Sequence, residues 1–162
     1  MRDQKGQAVL LDVFFASIIF LVVFFSIGNS FESELEKVNQ RQETQQMQLK
    51  AFAIAESLVK SDGGPSDWET LPVGSIERIG LAKSNLSLST EKVNQFKNLD
   101  PDYSTVKEIL LIPQYDYFFE LDGTGVTAGI PPASDSTKIV VRRIVEFEGD
   151  ETVAVFTLYK VQ

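Results

Sequence analysis

The chain has 162 residues, 23 Asp and Glu against 15 Lys and Arg, and neither cysteine nor histidine. A net charge of −8 repels phosphate backbones, so nucleic acid is not expected as a partner. The missing cysteine removes disulfides and thiolate chemistry, and the missing histidine removes the commonest general base and metal ligand. Both absences weigh against an enzyme.

Residues 8–28, AVLLDVFFASIIFLVVFFSIG, carry one charged side chain, Asp12, among five Phe and seven Val or Ile. At about 1.5 Å per residue such a helix reaches roughly 30 Å, one bilayer core. Arg2 and Lys5 precede it and Glu32, Glu34 and Glu36 follow, which predicts a cytoplasmic N-terminus and an exported remainder. A cleaved secretory signal fits less well, because its apolar region is about 7–15 residues long and Ser26-Ile27-Gly28 makes a poor cleavage site.

The leader MRDQKG, followed by QAVLLDVFFASIIFLVVFF, resembles the archaeal type IV pilin-like proteins. In these a leader ending in Lys-Gly precedes a glutamine and an unbroken apolar helix. The resemblance implies that a prepilin-type signal peptidase reads Lys5, Gly6 and Gln7 and cuts on the cytoplasmic side, leaving the apolar helix in the mature protein. That family places an acid at its fifth mature position. Cutting after Gly6 puts Leu11 fifth and Asp12 sixth, whereas cutting after Gln7 puts Asp12 fifth, so both sites stay open. Asp12 is then expected to pair with the N-terminal amine of an adjacent subunit during assembly. Its plain alternative is a carboxylate resting at headgroup depth.

Over residues 29–60 Phe31, Leu35 and Val38 recur at helical spacing, as do Leu49, Phe52, Ala55, Leu58 and Val59. The intervening NQRQETQQ is polar on every face. One helix over 8–60, about 80 Å long, is predicted, with Leu49 to Val59 packed into a core. Lys60-Ser61-Asp62-Gly63-Gly64-Pro65 should end it, since Lys60 suits the negative helix terminus and Pro65 blocks continuation.

Beyond this stop, 65–81 reads as a loop with apolar plugs at Trp68, Val73, Ile76, Ile79 and Leu81, and Leu86 and Leu88 suggest a short extended piece. Helices are predicted over 91–99 and 103–112, a strand over 115–121 and a loop over 122–136. A hairpin is predicted from 137–148 and 151–161 about Gly149-Asp150. The stretch GGPSDWETLPVGSIERIGLAKSNLSLSTEKVNQFKNL and then YSTVKEILLIPQYDYFFEL also resembles a segment of archaeal secreted pilin-like proteins. There a Pro-x-x-Trp loop leads through Ile-Gly-Leu-Ala and a Lys-Val helix to an aromatic strand.

Chemistry-bearing patterns are sparse. Ser89-x-x-Lys92 and Ser104-x-x-Lys107 match a serine–lysine spacing but lack its companion motifs, and both sit where serine caps a helix. Gly123-Thr124-Gly125 departs from a phosphate loop, and the acids Asp100, Asp102, Asp116, Asp122, Glu148, Asp150 and Glu151 follow no calcium-loop pattern. No catalytic residue, metal site or cofactor is expected. Asn85-Leu86-Ser87 is a glycosylation sequon on the expected outer side. Trp68, Tyr115, Tyr117, Phe118 and Phe119 are expected in the core rather than on a ligand platform.

The expected fold class is α+β. A long N-terminal transmembrane and stalk α-helix precedes a small head of short helices and an antiparallel β-sheet, as in pilins. The expected parts are the leader 1–6, a transmembrane or filament-core helix 7–28, a stalk 29–60 and an extracellular head 61–162. The expected protein is a non-enzymatic surface subunit, single-pass, assembled through its N-terminal helix. Its expected partners are the signal peptidase, identical or homologous pilin subunits, the pilus assembly platform and membrane lipid. The alternative is a membrane-anchored binding domain that never polymerises.

Overall fold

The computed structural model describes residues 3–160, with side chains described at 13–26, 37–38 and 40–160. The chain divides into two compact units, 1–45 and 46–162. Helix α1 (Asp3–Lys60) runs through the first and opens the second.

In the first unit α1 is apolar over 13–26 and polar over 40–45. The hydroxyls of Ser17 and Thr44 donate to the carbonyls of Val13 and Gln40 (2.8 and 2.9 Å), one turn back. Polar side chains are thereby absorbed by the helix itself.

In the second unit the last turns of α1 bury Met47, Ala51, Ile54, Ala55, Leu58 and Val59, a stripe at three- and four-residue spacing. This corrects the expected stripe at two positions. Leu49 is 72 % exposed and Phe52 52 %, because at about 100° per residue Leu49 falls on the far side from the middle of the buried stripe and Phe52 on its flank. Phe52 instead lies under the guanidinium of Arg143, 5.0 Å from its ring centroid. Arg143 and Lys60 both reach the Glu56 carboxylate, and the Lys60 contact, then the Arg143 contact, hold it below its ordinary value.

The helix ends at the expected place, with Gly63 at φ 96°. Its last carbonyls, which lack intrahelical partners, are taken up by the segment that follows. Leu81 N donates to Leu58 O (2.8 Å) and Ala82 N to Ser61 O (3.0 Å). Lys92 Nζ donates to Asp62 O (2.7 Å). Trp68, fully buried, sits inside this bend and donates its indole N–H to Gly80 O (2.8 Å).

Strands β1 (Ala82–Ser84) and β2 (Ser87–Leu88) form a short hairpin. Helices α2 (Thr90–Asn98) and α3 (Tyr103–Ile109) follow, joined by a 3₁₀ turn at Asp100–Asp102. Then come β3 (Asp116–Leu121), β4 (Val126–Gly129), β5 (Thr137–Phe147) and β6 (Asp150–Lys160). They make a six-stranded sheet in the order β1-β2-β5-β6-β3-β4. Alternation puts Phe119, Phe156 and Val141 in register on the covered face, where they join the α1 stripe and Phe96 of α2 in one core. Among the described residues, the outer edge of β5 is paired only where Ser87 faces Glu146.

Several expectations need correction. The sheet is mixed rather than antiparallel, since β2 runs parallel to β5. The predicted loop 122–136 contains β4, which closes a hairpin on β3. The β5–β6 turn is Glu148-Gly149, both at positive φ (54° and 91°), with Asp150 already paired to Phe147. This is the two-residue turn whose twist suits a hairpin. Helix α3 stops at Ile109, three residues short of the predicted end, and Leu111 turns to φ 59°.

The expected transmembrane helix is also corrected: among the described residues no helix is long and apolar enough to cross a membrane. The described apolar run, 13–26, gives about 21 Å of helix against a bilayer core of about 30 Å. The rest of the expected span, 7–12 and 27–28, has side chains outside the described residues.

Candidate functional site

In the first unit every large apolar side chain from Val13 to Phe25 is exposed, at 41–67 %. No charged residue interrupts them. Along the helix Phe20 stacks on Phe24 at 6.1 Å, and Phe14–Phe15 and Phe24–Phe25 meet edge to face. Water-facing surfaces carry apolar side chains singly or in patches of a few hundred Å². Burying a Val, Ile, Leu or Phe side chain is worth about 1.5–3 kcal/mol. This collar therefore represents a gross gain of order 20 kcal/mol on being covered, before association costs.

Of the positions singled out from sequence, Lys5, Gly6, Gln7 and Asp12 belong to the α1 backbone, and their side chains lie outside the described residues. Asn85 is exposed in the β1–β2 turn, beside Leu86 at φ 62°, and Ser87 opens β2. The sequon thus lies on a turn with its asparagine exposed and Leu86 packed against the core.

The two serine–lysine spacings do different things. Ser89 caps α2, accepting from Lys92 N (3.4 Å) and donating to Glu91 Oε2 (2.7 Å). The Lys92 ammonium is held by Asp62 O instead. Ser104 was expected to cap α3 and does not: the helix begins at Tyr103, and its N-cap position is Asp102, which makes no side-chain cap bond. Lys107 pairs with Asp116 (2.8 Å). Asp100 accepts from Gly129 N (2.8 Å), and among the described residues no group of acids is arranged to hold a metal.

Of the aromatic residues expected in the core, Trp68, Tyr115, Tyr117 and Phe119 are buried there, whereas Phe118 is half-buried and alternates to the opposite face of β3. Tyr117 lies between Tyr103 (5.0 Å) and Phe156 (6.2 Å), with Phe96 at 5.9 Å. Tyr103 Oη accepts from Tyr117 N (3.0 Å) and donates to Asp116 Oδ1 (3.2 Å). Burial pushes both phenols above their ordinary value. Among the described residues the buried Tyr117 hydroxyl finds no hydrogen-bond partner, which costs about 1–3 kcal/mol. Tyr117→Phe is expected to stabilise the protein by about 1 kcal/mol, read as a higher midpoint in urea.

A feature with no counterpart in the sequence reading is a cleft of about 350 Å³ in the second unit. Its walls come from α1 (Lys50, Ile54), from Arg78 and Ile79, and from the end of α3 (Leu110, Leu111). Three segments far apart in the chain make it, so no local pattern announces it.

No protein-family model, curated protein or solved structure matches the chain.

Proposed function

We propose that this chain is a non-enzymatic structural subunit of type IV pilin-like kind, assembled into an extracellular filament by packing the 13–25 collar of α1 against the same collar of other copies. The observation that carries this reading is the unbroken exposure of the apolar side chains from Val13 to Phe25. Covering them by identical helices satisfies every face at once, which a single flat partner does not. The Lys5-Gly6-Gln7 leader fits removal by a prepilin-type peptidase after Gly6 or Gln7. Asp12, the one acid in the apolar run, is assigned the pairing with a neighbour's new N-terminal amine. An assembly platform at the membrane and other pilin subunits are the remaining partners, and the second unit is displayed on the cell surface.

Intact mass and N-terminal sequencing of the native protein are expected to show a chain beginning at Gln7 or Ala8, recovered from sheared surface filaments. Replacing the stacked pair, Phe20→Asp with Phe24→Asp, is expected to reduce the sheared fraction at least tenfold. The reduction follows because each buried charge outweighs about 1.4 kcal/mol, the equivalent of one decade. An uncut Met1 terminus, or recovery of the wild-type chain solely from membranes, would overturn the filament reading.

A further inference from the structure

We propose that the cleft between α1, residues 78–79 and the end of α3 binds an alkyl carboxylate, a free fatty acid of roughly ten carbons. The volume, about 350 Å³, lies at the lower end of ligand pockets and holds about a dozen groups of ~30 Å³. Ile54, Ile79 and Leu110, all buried, supply an apolar floor. The charged side chains that line the cleft are Lys50 and Arg78, with no carboxylate between them. In a chain of net charge −8, a cationic pair over an apolar floor selects an amphiphile with an anionic head.

Both cations are set by the fold. Lys50 Nζ donates to Leu111 O (2.9 Å) and lies 5.9 Å from the centre of the Tyr115 ring. One of its three donors is thus spent on the backbone. Arg78 gives one guanidinium nitrogen to Gly63 O (3.2 Å) and is otherwise exposed. At the mouth, Leu111 is held at φ 59°, a conformation L-residues rarely adopt. Its side chain is 74 % exposed. An alkyl chain in the cleft would give that side chain an apolar surface to cover, while the carboxylate takes the remaining donors of Lys50 and Arg78.

The test uses the full chain and a photoreactive diazirine decanoate, with labelled peptides mapped by mass spectrometry. Labelling is expected in the peptides carrying 50–57 and 109–111, competed by decanoate and at least tenfold less by decanol. Lys50→Gln with Arg78→Gln is expected to lower it at least tenfold. Ala53→Phe, which narrows the cleft from an exposed helix position, is expected to abolish it without loss of the thermal transition. Labelling confined to 13–26, equal competition by decanol, or labelling unchanged in both variants would overturn the proposal. It stands apart from filament assembly, which neither variant is expected to alter.

Discussion

Trp68→Ala is expected to lower the unfolding free energy of the second unit by about 3–5 kcal/mol, a fall of roughly 10–20 °C in its thermal midpoint. Trp68 is the largest side chain in the core and wholly buried. It fills the bend between the end of α1 and β1, so truncation leaves a cavity there. Its indole N–H also satisfies Gly80 O, so truncation adds an orphaned carbonyl to the cavity. Trp68→Phe separates the two effects. It keeps most of the ring and loses the donor, and should cost about 1–3 kcal/mol. Equal losses in the two variants would show that the hydrogen bond, rather than the packing, carries the bend.

Gly80→Ala is the second large effect, expected to cost at least about 3 kcal/mol or to prevent folding. A Cβ at Gly80 would fall under 3.0 Å from Ser61 O and Gly63 N, both backbone atoms. Neither can retreat cheaply. Ser61 O accepts from Ala82 N, and Gly63 N donates to Ser61 Oγ. Gly74→Ala serves as the control, because nothing lies within 4 Å of its added carbon. That variant should be neutral or gain a few tenths of a kcal/mol from a less disordered unfolded chain. Circular-dichroism melts of the two variants side by side would decide whether close approach, rather than glycine content, is what position 80 requires.

Legibility in the sequence followed the range of the interactions. The end of α1 could be read because Lys60, Gly63 and Pro65 act within one turn, and the β5–β6 hairpin because alternation over 11 residues in each strand is a strong local pattern. The turn itself slipped by one residue, since Glu148 adopts the positive φ expected of a glycine. Strand β4 was hidden by its brevity and by the glycines at 123, 125 and 129, which look like loop. On α1, Leu49 and Phe52 share the three- and four-residue spacing of the true stripe, while Met47 and Ala51 carry a weaker apolar signal; only tertiary packing chooses between the two faces. Ser104 failed as a cap because capping depends on a helix boundary known to the residue. The sense of β2 against β5 and the Lys50–Arg78 cleft arise from segments distant in sequence and had no local signature. The chain's apolar run was plain, but its reading as a membrane span was not sustained among the described residues.

The unpaired edge of β5 carries a consequence for crowding. Over Thr137–Val145 that edge presents backbone groups open to a second strand, the feature through which sheets fuse edge to edge. Lys138 and Arg142 stand exposed along it. Two such edges brought together at the ~4.8 Å spacing of neighbouring strands would set cations against cations well inside the ~8 Å screening length of physiological salt. Copies held at high local density are thus refused a lateral zipper by their own charge. That refusal weakens in molar salt, where screening shortens to about 3 Å, so the same edge that keeps neighbouring molecules distinct in dilute electrolyte becomes their route to precipitation in brine.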